Sequence, residues 1–297
     1  MKQFIHSLWT LPIVSSWRNI DSKQQIVLNL YTYTISAYYV KKYGGVINLY
    51  SDSLGLWLLE HAPYDDKFCD FEDINYLTLP CWAYPKMIAM EKTATPFTHI
   101  DGDVFIKSQY MFDIITDNSV DLIVESQINN LKDESKFLYW HKNWFETYTS
   151  FSNDFDFSKT CNNGVLTFNN EALKNEFIEK YNNYRNQIFF SGENVRAAWT
   201  HNVFVPDLMI EQMNLYQISR KYQARGIMNH LTGNQGNDSK KLYNDFYKQY
   251  TEEYRHYAGN EKAYMSIEYF RNMLKQLDQD LYRKTIEKEN EVLRYLL

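Results

Sequence analysis

The feature that most constrains this fold is an alternation at the start of the chain. Short apolar runs of strand length are separated by segments whose apolar residues recur every three or four positions. Phe4-Ile5-His6-Ser7-Leu8 predicts a first strand. Asp21 or Ser22 offers a helix N-cap, and Ile26, Leu30, Tyr33, Ala37 and Val40 fall on one face of the helix that follows. Lys41 and Lys42 suit the negative C-terminal end of that helix, and Gly44 suits a left-handed stop. Val46–Tyr50 predicts a second strand, Ser53–His61 a short helix, Lys67–Cys69 a third strand, Trp82–Lys92 a helix and Phe97–Ile100 a fourth strand. Such alternation predicts a parallel, doubly wound α/β sheet. Ligands of these sheets sit at the carboxyl ends of the strands, so the residues just after each strand carry the chemistry.

Beyond the fourth strand the pattern loosens. Asp121–Glu125 and Gly164–Phe168 predict further strands, and Glu171–Asn182 and Asp207–Tyr222 predict helices. From about Ser239 to Leu297 the chain is polar and helix-favouring, with Phe270, Leu274, Leu277 and Leu281 on one face. This reading divides the chain into a domain over 1–240 and a helical region over 241–297 packed on it.

Composition narrows the function classes. Hydrophobic residues are 44% and charged residues 23%, which is globular rather than disordered. A net charge of −6 argues against wrapping a nucleic acid through its phosphates. Three dispersed cysteines with no Cys-x-x-Cys pair supply neither a disulfide framework nor a thiolate zinc site, and point to a cytoplasmic protein. The histidines show no His-x-x-x-His spacing, which removes a zinc-protease site. No apolar run is long enough to span a bilayer, and the first nine residues make a weak signal peptide. No P-loop, dinucleotide glycine turn or nucleophile elbow occurs.

The fourth strand ends in Asp101-Gly102-Asp103. Two carboxylates separated by one residue form a hard oxygen site for Mg²⁺ or Mn²⁺, whose open positions phosphate oxygens fill. An Asp-x-Asp is common on solvated surface turns. This one lies between an apolar strand and Val104-Phe105-Ile106, which embeds it in the core.

The wider pattern resembles the GT-A glycosyltransferases. Trp82-Ala83-Tyr84-Pro85-Lys86, followed by Pro96-Phe97-Thr98-His99-Ile100-Asp101-Gly102-Asp103-Val104-Phe105, is similar to the core of the family-8 group, which includes glycogenin-like and bacterial lipopolysaccharide-galactosyltransferase-like enzymes. It is also similar to a related uncharacterised bacterial family. Lys42–Asp52 resembles that group's passage into the nucleoside pocket, Asn162-Asn163-Gly164-Val165-Leu166 its sugar-lining strand, and His230-Leu231-Thr232-Gly233 its His-x-x-Gly-x-x-Lys segment. Lys240 lies several residues further from Gly233 than that pattern expects.

The resemblance implies a GT-A (Rossmann-like) mixed sheet flanked by helices, with a C-terminal helical extension. It implies transfer of a hexose from a nucleotide-diphospho-sugar, UDP-sugars being favoured, to a glycan, lipid-linked or protein acceptor, with retention of configuration. Asp101, Asp103 and His230 would hold Mn²⁺ or Mg²⁺. Ser7, Asp52, Lys86, Asp101, Asn163, Gly164 and Lys240 would bind the nucleotide-sugar, and Asp207, Glu211 and Gln212 would act at the anomeric centre. A homodimer and a place at the inner face of the membrane accompany this expectation. Two readings compete with it: a haloacid-dehalogenase-like phosphatase using Asp101, and a non-catalytic nucleotide-sugar-binding protein. In the phosphatases the acidic motif ends the first strand of the core, whereas here three strand–helix units precede it.

Overall fold

A computed structural model of the chain describes residues 2–10, 22–74, 83–130, 142, 146–147, 149, 154–190, 205–257 and 265–295. In chain order its elements are β1 (Gln3–Leu8), α1 (Ser22–Lys42), β2 (Val46–Ser51), α2 (Ser53–Leu58), β3 (Asp66–Cys69), α3 (Tyr84–Glu91), β4 (Phe97–Ile100) and β5 (Val104–Ile106). They continue with α4 (Gln109–Ile115), β6 (Leu122–Ile128), β7 (Thr160–Phe168), α5 (Glu171–Phe190), α6 (Val205–Ser219), β8 (Ala224–Gly226) and α7 (Ile227–Thr232). The last are α8 (Ser239–Tyr250), β9 (Tyr254–His256), α9 (Ile267–Leu277) and α10 (Gln279–Tyr295). Asp21 and Trp82 lie outside the described residues.

The architecture is mixed α/β, and the chain forms two compact units that are each discontinuous in sequence. Unit one holds residues 1–76, 100–113 and 252–297, and unit two holds 77–99 and 114–251. The two ends of the chain therefore belong to the same unit.

In unit one β3, β2 and β1 lie side by side and parallel, as the alternation requires, with Ile5 opposite Asn48 and Tyr50 opposite Phe68. Two predicted helices prove narrower than their patterns, at Ser53–Leu58 and Tyr84–Glu91. Helix α1 departs further from expectation. Its sequence shows one apolar face, yet Asn29, Thr32, Thr34 and Ser36 are buried together with Val27, Leu28, Tyr31 and Ile35. The reason is the C-terminal helices. Phe270 and Leu274 of α9 and Leu281 and Val292 of α10 share one apolar cluster with α1.

Several polar groups of α1 find bonds at this depth. Thr34 Oγ1 donates to the Leu30 carbonyl at 2.7 Å, and Tyr38 Oη donates to the Leu277 carbonyl at 3.0 Å. Tyr31 Oη donates to Glu289 Oε2 at 2.6 Å, and Arg271 Nε binds the same oxygen at 3.1 Å. A carboxylate this deep is tolerable only with such partners.

Unit one also corrects the reading of the C-terminal region. That stretch was expected to be helical throughout, but Tyr254–His256 is a strand, β9, paired antiparallel with β5. Three residues are too few for periodicity to show. The pairing partner that stabilises them lies about 150 positions earlier in the chain, because Val104 faces His256 and Ile106 faces Tyr254.

In unit two the strands run in the order β4, β7, β6, β8. Here the sheet is mixed: β6 is antiparallel to β7 and parallel to β8. Thr98 and Thr167 share a buried hydroxyl–hydroxyl hydrogen bond of 2.9 Å, which links β4 to β7. No helix among the described residues is long and apolar enough to cross a membrane.

Candidate functional site

In unit one, the Asp101-Gly102-Asp103 turn joins the end of β4 to β5. The Val104 amide donates to the Asp101 carbonyl at 3.0 Å and closes the turn, and the Tyr257 amide donates to the Asp103 carbonyl at 3.0 Å. Because β9 pairs with β5, His256 comes beside the acids. His256 Nε2 lies 3.6 Å from Asp103 Oδ1. Asp101, Asp103 and His256 each place a ligand atom within 4.8 Å of the others. Two carboxylate oxygens and an imidazole nitrogen are a donor set that suits Mn²⁺, and Mg²⁺ less well because of the nitrogen. An octahedral shell sets neighbouring ligand atoms about 3 Å apart, so small rotamer changes would close the group around an ion.

Gly102 is required by packing. A Cβ built there would lie 2.2 Å from the Tyr33 ring, which covers the turn. Tyr33 Oη in turn donates to the Ser7 carbonyl at 2.9 Å. His6 of β1 is fully buried and stands edge-on to Tyr33 at 5.2 Å between ring centroids. Burial lowers its pKa to about 3, against an opposing pull from the Asp103 carboxylate, so the ring is neutral.

Asp52 follows β2, where the sequence placed a nucleotide contact. Its carboxylate accepts from the Gly55 amide at 2.9 Å, capping α2, and from the Thr10 amide at 2.9 Å and the Thr10 hydroxyl at 2.7 Å. It thereby fixes the chain leaving β1. Ser7 is half-buried within β1.

In unit two the ladder between β6 and β7 steps out of register. Ser126 faces Asn162 while Val124 faces Leu166, so Asn163, Gly164 and Val165 stand opposite Glu125 alone. Bulges of this kind re-aim side chains and are enriched beside active sites. Asn162 Oδ1 accepts from the Gly164 amide at 3.3 Å, and Asn162 Nδ2 donates to Tyr243 Oη at 2.7 Å. Asn163 is 2% exposed, and neither end of its amide has a hydrogen-bond partner among the described residues. An unpaired buried amide costs roughly 1–3 kcal/mol. Here it offers one donor and one acceptor to a hydroxyl.

Also in unit two, Lys86 of α3 and Glu211 of α6 form an ion pair with Nζ–Oε1 3.3 Å, their side chains 12% and 1% exposed. The neighbouring Gln212 Oε1 accepts from Thr160 Oγ1 at 3.4 Å. Asp207 lies in the first turn of α6, and its side chain is outside the described residues.

The segment chosen for the third metal ligand is built differently. His230 is exposed on the last turn of α7, and Gly233 is the left-handed C-cap of that helix at φ 66°. Asn229 fixes the segment on β6, accepting from the Gln127 amide at 2.8 Å and donating to the Gln127 carbonyl at 2.8 Å. Lys240 is exposed in the first turn of α8, which Asp238 caps. Among the described residues, the histidine grouped with Asp101 and Asp103 is His256.

Residues 1–288 match a family of unknown function, DUF6734. The chain belongs to that family. Among curated proteins no match was found. Among solved structures the chain is similar to the galactosyltransferase LgtC in complex with donor and acceptor sugar analogues. That alignment has 11% sequence identity and a TM-score of 0.45, and covers 92% of this chain and 95% of that one.

The sequence did carry a signal for His256. His256-Tyr257-Ala258-Gly259-Asn260-Glu261-Lys262 satisfies the His-x-x-Gly-x-x-Lys spacing without the insertion that separates Gly233 from Lys240. The helix-favouring composition around it concealed that match. Gly259 and Lys262 lie outside the described residues.

Proposed function

We propose that this DUF6734 chain is a divalent-cation-dependent glycosyltransferase that uses a nucleotide-diphospho-hexose, with UDP as the favoured nucleotide. The observation that carries the reading is the Asp101–Asp103–His256 group at the end of a strand, where α/β proteins place their ligands. In this reading His256 takes the role that the resemblance gave to His230, and Lys262 takes the phosphate role given to Lys240. The bound ion would neutralise charge on the diphosphate as it departs.

The protein's own groups supply the rest. Gly102 keeps the turn low under Tyr33, so that both acids project from one short loop. Asn163 supplies a donor and an acceptor for a sugar hydroxyl, and Gly164 admits the sugar close to the backbone. Glu211 and Gln212 stabilise the oxocarbenium-like anomeric carbon, and Lys86 orients Glu211 through their ion pair. Retention follows from the family-8 resemblance. Asp207 and Ser7 are assigned supporting contacts with the donor, and Asp52 shapes the nucleoside end through Thr10.

The test is calorimetric titration of UDP and GDP, and of their hexose conjugates, with and without Mn²⁺. Binding of one nucleotide that requires Mn²⁺, and that Asp101→Ala abolishes, is the expected result. Absence of metal-dependent binding across the panel would refute the reading.

A further inference from the structure

The strand that leads out of the acidic turn is anchored by a chain of hydrogen bonds whose direction can be worked out. Ser36 Oγ lies 2.7 Å from the Val104 carbonyl, which can only accept, so the hydroxyl proton points there. Ser36 therefore presents a lone pair to His6 Nε2 at 3.2 Å, and that nitrogen carries the imidazole proton. His6 Nδ1 is left as an acceptor and takes the Tyr64 hydroxyl at 2.7 Å. Burial raises the pKa of Tyr64, which keeps its proton. One chain results: Tyr64 O–H to His6 Nδ1, His6 Nε2–H to Ser36 Oγ, and Ser36 O–H to the Val104 carbonyl.

Its terminus is the residue on which the ligand group converges. Val104 follows Asp103, closes the turn through its amide to Asp101, and is the strand partner of His256. The same imidazole packs edge-on against Tyr33, the ring that covers Gly102. His6 thus touches both supports of the turn, one through Ser36 and the other through an aromatic face. Ser36 and His6 are 1% and 0% exposed, so water cannot take the place of either partner.

We infer that His6 is a positioning residue that, through Ser36 and Val104, sets the spacing of Asp101, Asp103 and His256 before a cation arrives. This rests on the cation-binding reading given above. Groups outside the ligand shell commonly change metal affinity by about 10–100-fold when altered. A glutamine can replace a neutral imidazole here, because its amide supplies both an N–H donor and an oxygen acceptor. A leucine offers neither.

The experiment is titration of the full-length protein with Mn²⁺, followed by the electron paramagnetic resonance of the free ion. The proteins compared are the wild type, His6→Leu, His6→Gln and Ser36→Ala, each with its thermal midpoint. Affinity should fall about tenfold or more in His6→Leu and Ser36→Ala and stay within about threefold in His6→Gln. Ser36→Ala removes a single oxygen and keeps the measurement available if His6→Leu does not fold. Wild-type affinity in both His6→Leu and Ser36→Ala would overturn the inference. So would losses that follow the thermal midpoint across all three variants, since that is a purely structural effect. If the wild type itself binds no Mn²⁺, the cation-site reading fails and this inference fails with it. A wild type that binds beside unaffected variants removes the inference alone.

Discussion

The segments at His230 and His256 both carry a histidine with a glycine three residues further on, and they fold differently. Ile227–Gly233 forms one and a half helical turns, with His230 facing solvent and Gly233 ending the helix. Tyr254–His256 forms a strand on β5, and His256 is buried beside Asp103. The residue spelling is shared, and the difference lies in the partner. Asn229 spends its amide on the backbone of β6, which makes the first segment a structural splice. The second segment pairs with the strand that carries the acidic turn, which makes its histidine a ligand candidate.

The comparison breaks most sharply at the acids. Asp103→Asn should weaken Mn²⁺ binding by about 100-fold, roughly 2.7 kcal/mol, in a direct titration. Undiminished affinity would show that the turn is only a capped loop. Glycine substitutions come next. Gly102→Ala drives a methyl group into the Tyr33 ring and should cost about 1–3 kcal/mol in urea unfolding, with a loss of metal affinity. Gly233→Ala meets nothing within 4 Å and pays only for its left-handed backbone, about 1 kcal/mol, with metal affinity unchanged. Equal metal effects at the two glycines would erase the distinction between the segments. The histidines follow: His256→Ala should weaken Mn²⁺ binding by about tenfold, roughly 1.4 kcal/mol, whereas His230→Ala should leave it at the wild-type value.

The last test is the pH dependence. Buried His6 has its pKa lowered from 6.5 to about 3, so below pH 6.5 the unfolded chain binds a proton that the native chain refuses. Its contribution is complete above pH 6.5 and is lost as the pH falls towards 3, with a slope of up to about 1.4 kcal/mol per pH unit. Denaturant midpoints measured between pH 7 and pH 4 should drop in the wild type and drop less in His6→Gln. Equal slopes in the two proteins would place the titrating group elsewhere.

Much of the framework was legible from local pattern. The strand at Phe4–Leu8, the helix ending at Lys42 before Gly44, and the strand ending at Ile100 follow from periodicity and punctuation within a few residues of each other. The acidic turn was readable for the same reason. Less was legible where structure depends on distant partners. α1 looks amphipathic in isolation because Thr34 and Ser36 are polar by type, and their bonds to the Leu30 and Val104 carbonyls let them lie inside. The bulge at Asn163 had a sequence signature in its Asn-Asn-Gly, but the orphaned amide that gives it meaning exists only once β6 is in place.

By itself, then, the sequence determined which short segments become strands or helices and where two carboxylates share a turn, because those outcomes depend on neighbours along the chain. Tertiary structure alone decided that residues 252–297 return to the unit that holds residues 1–76, and that His256 stands beside those carboxylates. The physical reason is the length of the strands concerned. Three residues of β9 have no conformational preference strong enough to act alone, and they take their form from the hydrogen bonds of β5.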